Sequence, residues 1–138
     1  LGLRAWARRK SPPVTGLNVV VGGATGETGA QSYFSNYGST VDVSAPGGDD
    51  RTGDMILSTL NNGETTPAAP TYGYMEGTSQ AAPHVSAVVA LMIAANPNLT
   101  PARIKEILKQ SVNPAKCKTG CGTGIVDARK AVKAAKSA

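Results

Sequence analysis

Apolar residues occur as short runs in the first half of the chain and at helical spacing in the second half. Residues 17–23 form an apolar, β-branched run that is bounded by glycines, and such a run favours a buried strand of a parallel sheet. Residues 41–44 and 55–60 are two further short segments with the character of strands. The first half of the chain is therefore predicted to supply strands of a sheet.

A long helix is predicted over residues 79–95. Its centre, residues 85–93, is apolar on every face, which is typical of a helix that is buried all round in a larger body. Two amphipathic helices follow, with Thr100 and Asp127 as their N-caps. The polar face of the first amphipathic helix is expected to meet water, and it comprises Arg103, Lys105, Glu106 and Lys109.

Composition and charge narrow the possible classes of protein. The chain has 138 residues, at most one domain, of which 41% are hydrophobic and only 4% aromatic, with a net charge of +5. The positive charge lies mainly in residues 4–10 and 130–136, without the interleaved aromatic side chains that stack on bases, so solvated chain ends are favoured over binding of nucleic acid. No segment is predicted to span a membrane, because the longest apolar run, residues 85–95, is too short.

The segment Gly77-Thr78-Ser79 places a serine on a glycine-led turn at the start of the long helix. Glycine allows a sharp turn, and a helix N-terminus adds unpaired N–H groups and a partial positive charge beside the hydroxyl. These are conditions under which a serine can attack a carbonyl group and its anionic intermediate can be stabilised. The alternative is that Thr78 or Ser79 only caps the helix.

The wider segment, Gly-Thr-Ser-Gln-Ala-Ala-Pro-His-Val over residues 77–85, resembles the nucleophile segment of the subtilisin-like serine peptidases, the subtilases. Other segments agree in order and spacing, namely 33–38, 41–47, 99–101 and 122–128. The resemblance extends over about residues 11–132. It implies an α/β fold, in which a parallel sheet carries helices on both faces and is incomplete in this chain.

The resemblance also shows what the chain lacks. The aspartate and the histidine of the family's catalytic triad have no counterpart in their expected contexts, nor does the asparagine that completes the oxyanion hole. The single histidine, His84, lies five residues beyond Ser79 and is predicted to be structural. Residues 11–138 are thus expected to be the C-terminal portion of a subtilase catalytic domain, which needs the upstream portion. Residues 1–10 do not resemble the family and are predicted to be disordered.

The resemblance assigns a role to the serine. Ser79 would attack a peptide carbonyl to form an acyl-enzyme, its own N–H would contribute to the oxyanion hole, and Gly77 and Thr78 would shape the turn. Met75 and Glu76 would lie near the leaving-group side, where the family often has Asn in place of Glu76. The predicted function is a serine endopeptidase acting on polypeptides, with this chain alone inactive or nearly so. The alternative is a non-catalytic remnant that serves as a structural or binding piece.

Cys117 and Cys121 are the two cysteines, and a glycine-containing stretch separates them. A disulfide that closes a tight loop is predicted, with two free thiols as the alternative. A disulfide indicates an oxidising compartment, and together with the family resemblance it predicts secretion.

The resemblance leaves calcium open as a cofactor. Calcium requires six to eight oxygen ligands, of which Asp49, Asp50 and Asp54 could supply some. A solvated acidic turn is the favoured interpretation of these residues, and no metal-binding residue is assigned.

Overall fold

A computed structural model describes residues 2–4, 19–118 and 120–138 of the chain. The elements in chain order are β1 (Gly2–Arg4), β2 (Val19–Thr25), β3 (Val43–Pro46), β4 (Ile56–Asn61), β5 (Pro70–Met75), α1 (Thr78–Ala95), α2 (Pro101–Gln110), β6 (Val112–Asn113), β7 (Ile125–Val126) and α3 (Ala128–Lys136). Residues 1–10 were predicted to be disordered. Gly2–Arg4 form a strand, and the rest of that segment lies outside the described residues.

A five-stranded sheet in the order β1-β2-β3-β7-β6 forms the centre of the fold. Within this sheet, β1, β2, β3 and β7 pair in parallel, and β6 pairs antiparallel with β7. The predicted buried strand is present as β2, where Val20 and Ala24 are inaccessible to solvent. The fold is an incomplete α/β fold in which three helices accompany a mixed, mainly parallel sheet, as predicted.

The hydrophobic core lies between the sheet and the helices. From α1 it takes Val85 and Met92, and from α2 it takes Ile107 and Leu108, all with at most 1% of their surface exposed. The sheet contributes valines and alanines of β2 and β3. Small side chains, such as Ala131 of α3, allow helices and strands to approach closely, which fits the low aromatic content.

Helix α1 is not enclosed on all sides in this chain, which agrees with the expectation that it is buried all round only in a larger body. Six of its residues are buried, whereas Leu91 is 54% exposed and Ile93 42% exposed. Contrary to the expectation from sequence, α1 is also long and apolar enough, by length and composition alone, to cross a membrane. A core helix meets the same criterion, and the buried residues of α1 pack against the sheet and α3.

Strands β4 and β5 form an antiparallel hairpin that leads into α1. The sequence predicted the first strand but not the second. In the hairpin, Ile56 lies opposite Met75 and Asn61 lies opposite Pro70. The side chain of Asn61 stabilises the connection, because its Oδ1 accepts hydrogen bonds from the N–H groups of Gly63 and Ala68.

The predicted caps of the amphipathic helices are present. Thr100 Oγ1 accepts a hydrogen bond from Arg103 N at 3.3 Å, and Asp127 Oδ1 accepts one from Lys130 N at 2.9 Å. Each cap satisfies one of the otherwise unpaired N–H groups at its helix N-terminus.

Two lysines of α2 were predicted to face water, but both form ion pairs with a buried carboxylate. Lys105 Nζ lies 2.9 Å from Asp42 Oδ2, and Lys109 Nζ lies 3.3 Å from Asp42 Oδ1. Asp42 is 6% exposed and also accepts a hydrogen bond from Val21 N at 3.0 Å. A buried carboxylate requires such partners, and the two lysines therefore join α2 to the sheet.

The predicted disulfide between Cys117 and Cys121 is present, with the two Cα atoms 6.2 Å apart. The closed loop lies against other parts of the chain: Ser44 Oγ donates to the Cys121 carbonyl at 3.0 Å, and Gly38 N donates to the Gly120 carbonyl at 3.0 Å. The bridge therefore holds a loop that contacts β3 and the segment before it.

Candidate active site

The chain turns from β5 into α1 at Gly77. Its φ angle of 150° is one that side chains rarely adopt, and a Cβ atom there would lie 2.7 Å from Gln80 Oε1. Gly77 N donates to the Gly47 carbonyl at 2.8 Å, and the Gly77 carbonyl accepts from Gln80 N and Ala81 N. These bonds begin the helix directly behind the strand.

Ser79 is exposed and is the second residue of α1. The N-cap position is held by Gly77, so neither Thr78 nor Ser79 occupies the capping position that was the alternative interpretation. Within the described part of the chain, the N–H of Ser79 has no hydrogen-bond acceptor. A free donor and the partial positive charge of the helix end thus lie beside an accessible hydroxyl.

Ser79 opens onto a groove of about 420 Å³ between the hairpin and α1. The hairpin contributes residues 56–60 and Met75, and α1 contributes Ser79, Gln80, Pro83, His84 and Ala87. The wall is mainly apolar.

His84 lines the same groove but faces a different partner. Its Nδ1 lies 2.8 Å from the Gln80 carbonyl, and because a carbonyl only accepts, Nδ1 carries the proton. No hydrogen bond joins Ser79 to His84 or to any other candidate base among the described residues. The geometry agrees with the prediction that His84 is structural.

Glu76 precedes the turn and is fixed by two hydrogen bonds. Tyr33 Oη donates to Glu76 Oε1 at 2.7 Å, and Asp50 N donates to Glu76 Oε2 at 2.6 Å. The bond to Glu76 raises the pKa of Tyr33 above its usual value. The sequence did not predict this contact, because Tyr33 and Glu76 are 43 positions apart and no local pattern connects them.

The sequence favoured a solvated acidic turn for Asp49, Asp50 and Asp54, but Asp49 is buried and paired. Asp49 is 5% exposed, and its oxygens accept from Arg51 Nε at 3.0 Å, Arg51 Nη2 at 2.8 Å and Tyr33 N at 3.1 Å. The hydrogen-bonded Arg51 side chain holds the pKa of Asp49 below its usual value. The Arg51 guanidinium also lies 4.2 Å from the centre of the Tyr33 ring, a cation–π contact.

Carboxylate oxygens of Asp49, Asp50 and Glu76 lie within 4.8 Å of one another, which raises the question of a metal ion. Calcium requires six to eight oxygen ligands. Both oxygens of Asp49 already accept from Arg51, both oxygens of Glu76 accept from protein donors, and the guanidinium would repel a cation. The group as arranged does not fit calcium, and no metal-binding residue is assigned.

An accessible serine at a helix N-terminus, beside an unpaired N–H and over a groove, has features that serine hydrolases use. Residues 6–124 match the model of the subtilase family, peptidase S8, and the chain belongs to this family. Members of the family commonly bind calcium.

Proteins similar in sequence to this chain are named as proteases. The chain is 46% identical over 128 residues to an extracellular protease of Xanthomonas campestris pv. campestris, a match that covers 91% of this chain and 21% of that protein. It is 42% identical to an extracellular basic protease of Dichelobacter nodosus, covering 85% of this chain and 19% of that one. A solved protease structure from Pseudoalteromonas arctica superposes with a TM-score of 0.78 at 49% identity, over 86% of this chain and 36% of that chain. The chain thus spans about a fifth of the length of these two curated relatives.

Proposed function

We propose that the chain is the C-terminal part of the catalytic domain of a serine endopeptidase, with Ser79 as the nucleophile. The observation that supports this most is the unpaired N–H of Ser79 beside its exposed hydroxyl, at the N-terminus of α1. In the proposed reaction, the hydroxyl attacks the carbonyl carbon of a peptide bond. The N–H of Ser79 donates to the resulting oxyanion. A base takes the hydroxyl proton and passes it to the amine nitrogen, and the C–N bond breaks as the acyl-enzyme forms.

The rest of the machinery is proposed to come from an upstream portion of a longer protein. A serine hydroxyl is a weak nucleophile without an adjacent base, and none of the described residues forms a hydrogen bond to Ser79 as such a base. The lengths of the relatives are consistent with an upstream portion that supplies the aspartate, the histidine and the oxyanion-hole asparagine. Alone, the chain is expected to be almost inactive.

Secretion is proposed on two grounds. Relatives are named as extracellular proteases, and the disulfide between Cys117 and Cys121 is a bond that persists in oxidising compartments. Polypeptides are the proposed substrates. Neither nucleic acid nor a membrane is proposed as a partner.

A fluorophosphonate probe tests the proposal, since it labels an activated serine but not an ordinary hydroxyl. The full-length protein that contains this chain should be labelled on Ser79, and Ser79→Ala should abolish both labelling and peptide hydrolysis. The chain of 138 residues alone should be labelled very slowly, because loss of the base costs on the order of 10⁶-fold in well-studied triads. Ser86→Ala is a suitable control, because Ser86 lies on α1 and bonds the Ala82 carbonyl.

The alternative function, a non-catalytic structural or binding piece, makes the opposite prediction. If the full-length protein is folded and Ser79 still is not labelled, the endopeptidase proposal is wrong and the alternative stands. Robust hydrolysis by the 138-residue chain alone, lost in Ser79→Ala, would show instead that the upstream groups are not required.

A further inference from the structure

A hydrogen-bonded network lies beside the proposed nucleophile turn. Its centre is the carboxylate of Glu76, which receives the Tyr33 hydroxyl on one oxygen and the Asp50 N–H on the other. Glu76 is the residue directly before Gly77. Any movement of its backbone is therefore passed to the turn that carries Ser79.

The donors to Glu76 are themselves held in place. Arg51 lies over the Tyr33 ring at 4.2 Å, and Phe34 packs against that ring edge-on at 5.1 Å between centroids. Asp49 accepts hydrogen bonds from Tyr33 N and from the Arg51 side chain, and it is almost fully buried. The Tyr33 hydroxyl is thus aimed at Glu76 by contacts to its ring and to its backbone.

A second contact joins the same loop to the turn. Gly47, two residues before Asp49, accepts the N–H of Gly77 through its carbonyl. A Cβ atom on Gly48 would lie 3.3 Å from Glu76 Cβ, which shows how closely the loop approaches. The loop therefore restrains the chain on both sides of the bond between Glu76 and Gly77.

We infer that Tyr33 and Glu76 are positioning residues for the nucleophile turn, and that they hold Ser79 at the angle its reaction requires. The inference rests on the proposed function of Ser79. Neither residue is assigned contact with substrate. Both act through Gly77, and small displacements of a reacting group lower the rate of reaction steeply.

The chemistry of Glu76 suits this role. A carboxylate has two oxygens that only accept, so it can receive the phenol and the backbone N–H at once. Glutamine at this position could accept the Asp50 N–H through its carbonyl, but its amide nitrogen could only donate to the Tyr33 oxygen, which reverses that bond and removes its charged acceptor. Tyr33→Phe therefore removes the bond between the two side chains, Glu76→Gln weakens it, and both preserve the shape of the side chain.

The test uses the full-length protein that contains this chain, with Tyr33→Phe, Glu76→Gln and the double variant. Tyr37→Phe is the matched control, because Tyr37 is 48% exposed and its hydroxyl has no hydrogen-bond partner among the described residues. Three experiments are made: the rate of Ser79 labelling by a fluorophosphonate, steady-state kinetics (kcat and KM) with a chromogenic peptide, and hydrogen exchange of the amides of residues 77–81 and of α2.

Each single variant should lower the labelling rate and kcat by about tenfold, while KM changes less than about twofold. The double variant should be no slower than the slower single variant, because both substitutions affect the same hydrogen bond between Tyr33 and Glu76. Exchange should rise in residues 77–81 but not in α2, and Tyr37→Phe should match the wild type. The unchanged exchange in α2 distinguishes positioning from a general loss of stability.

Three outcomes would overturn the inference. These are unchanged labelling in both single variants, an increase in KM at constant kcat, or faster exchange in α2 together with the turn. If the wild-type protein is not labelled at all, the proposed function itself fails and the inference fails with it. Normal labelling of the wild type with unaffected variants removes the inference alone.

Discussion

At the scale of single residues, two glycines determine the geometry of the proposed nucleophile turn. Gly77 adopts a φ angle of 150°. A Cβ atom on Gly47 would lie 2.7 Å from the Gly77 carbonyl oxygen and 2.6 Å from Ala24 Cβ. Since these contacts are too short for real side chains, the backbones meet only because both positions are glycine.

The Gly47→Ala substitution should therefore move the turn. We expect a loss of stability of about 1–3 kcal/mol from overpacking and a lower rate of Ser79 labelling in the full-length protein. Denaturant unfolding and fluorophosphonate labelling measure the two effects. Gly22→Ala is the control, because no atom of the described residues lies within 4 Å of the Cβ it would add. Equal behaviour of the two variants would contradict the packing described here.

Asp49 leads to a prediction about pH. The hydrogen bonds from Arg51 lower the pKa of Asp49 in the folded protein, so the ionised form stabilises the fold. That contribution is fully present above the unfolded pKa, about 3.9, and is lost as the pH falls through the lower folded value. The melting temperature of the folded, full-length protein should therefore fall on acidification below about pH 4.

Asp49→Asn and Arg51→Gln should each lower the melting temperature at neutral pH. In both variants the further fall in melting temperature on acidification should be smaller than in the wild type. Melting curves recorded between neutral and acidic pH measure both effects. A wild-type acid profile that neither substitution alters would show that the pair does not contribute.

The sequence predicted the role of a residue where that role depends on its neighbours in the chain, and failed where it depends on distant residues. The serine turn and both N-caps follow from neighbouring residues, and so could be predicted. The burial of Asp49 could not be predicted, because it depends on Tyr33, sixteen positions earlier, and on the fold that brings them together. An acidic, glycine-flanked segment has the composition of a solvated turn whichever way its side chains finally point.

At the scale of elements, helix α2 is attached to the sheet by charge as well as by packing. Asp42 is buried and meets two lysines of α2 whose side chains are 26% and 41% exposed. The amphipathic pattern placed Lys105 and Lys109 on a polar face, and they do lie there. The pattern could not reveal that this face meets a buried carboxylate from the residue directly before β3.

Asp42→Ala should lower the free energy of unfolding by about 2 kcal/mol. The cost of breaking a fully buried ion pair is about 3–5 kcal/mol, and partial exposure of the lysines reduces it. Urea unfolding measures the change. Lys105→Met should cost more than Lys109→Met, because Lys105 is closer to Asp42, more buried, and also donates to the Val19 carbonyl at 2.9 Å. The reverse order would contradict this account.

The disulfide should contribute modest stability, since its loop is short. For a loop of this size, closing the chain stabilises the fold by about 2 kcal/mol in the chain-entropy model. The variant with Cys117→Ser and Cys121→Ser should lose about that amount in denaturant unfolding. The intact mass of native protein should be lower than that of the dithiol by two hydrogen atoms. Complete alkylation of both thiols without reductant would contradict the bridge and weaken the case for secretion.

The hairpin shows why sheet partners are harder to predict than helices. Strand β4 has an apolar pattern of its own, but β5 begins at a proline and contains Gly73 between exposed tyrosines. Its strand conformation comes from pairing with β4, and no hydrophobic face of its own indicates it. The groove next to Ser79 needs both strands, so the sequence predicted the serine without the wall it faces.

At the scale of the whole molecule, α1 connects the proposed site to the core and leaves one side open. Val85 and Met92 are fully buried, while Leu91 and Ile93 are exposed. The sequence correctly predicted an apolar helix with the sheet beside it. Within this chain apolar neighbours cover only part of the helix, and the sequence alone does not show which segment would cover the side that carries Leu91 and Ile93.

Because one side of α1 is exposed, the behaviour of the isolated chain tests the proposal that it is only part of a catalytic domain. Large contiguous apolar patches are rare on soluble monomers, and parallel sheets need cover on both faces. We expect the 138-residue chain alone to aggregate or to remain partly molten, binding ANS and giving a weak near-ultraviolet circular dichroism spectrum. Adding the upstream portion of the protein should restore a monomer with a cooperative melt.

Two variants separate exposure from core packing. The double substitution Leu91→Ser and Ile93→Ser should reduce ANS binding and aggregation of the isolated chain, because it removes exposed apolar surface. In the full-length protein, Met92→Ala should instead lower stability by about 2–5 kcal/mol through a core cavity. A sharp monomer peak in size-exclusion chromatography, a cooperative melt and no ANS binding by the unsubstituted chain would show that it folds alone. In that case the side of α1 that carries Leu91 would be an ordinary solvent-exposed surface, and no upstream portion would be needed to cover it.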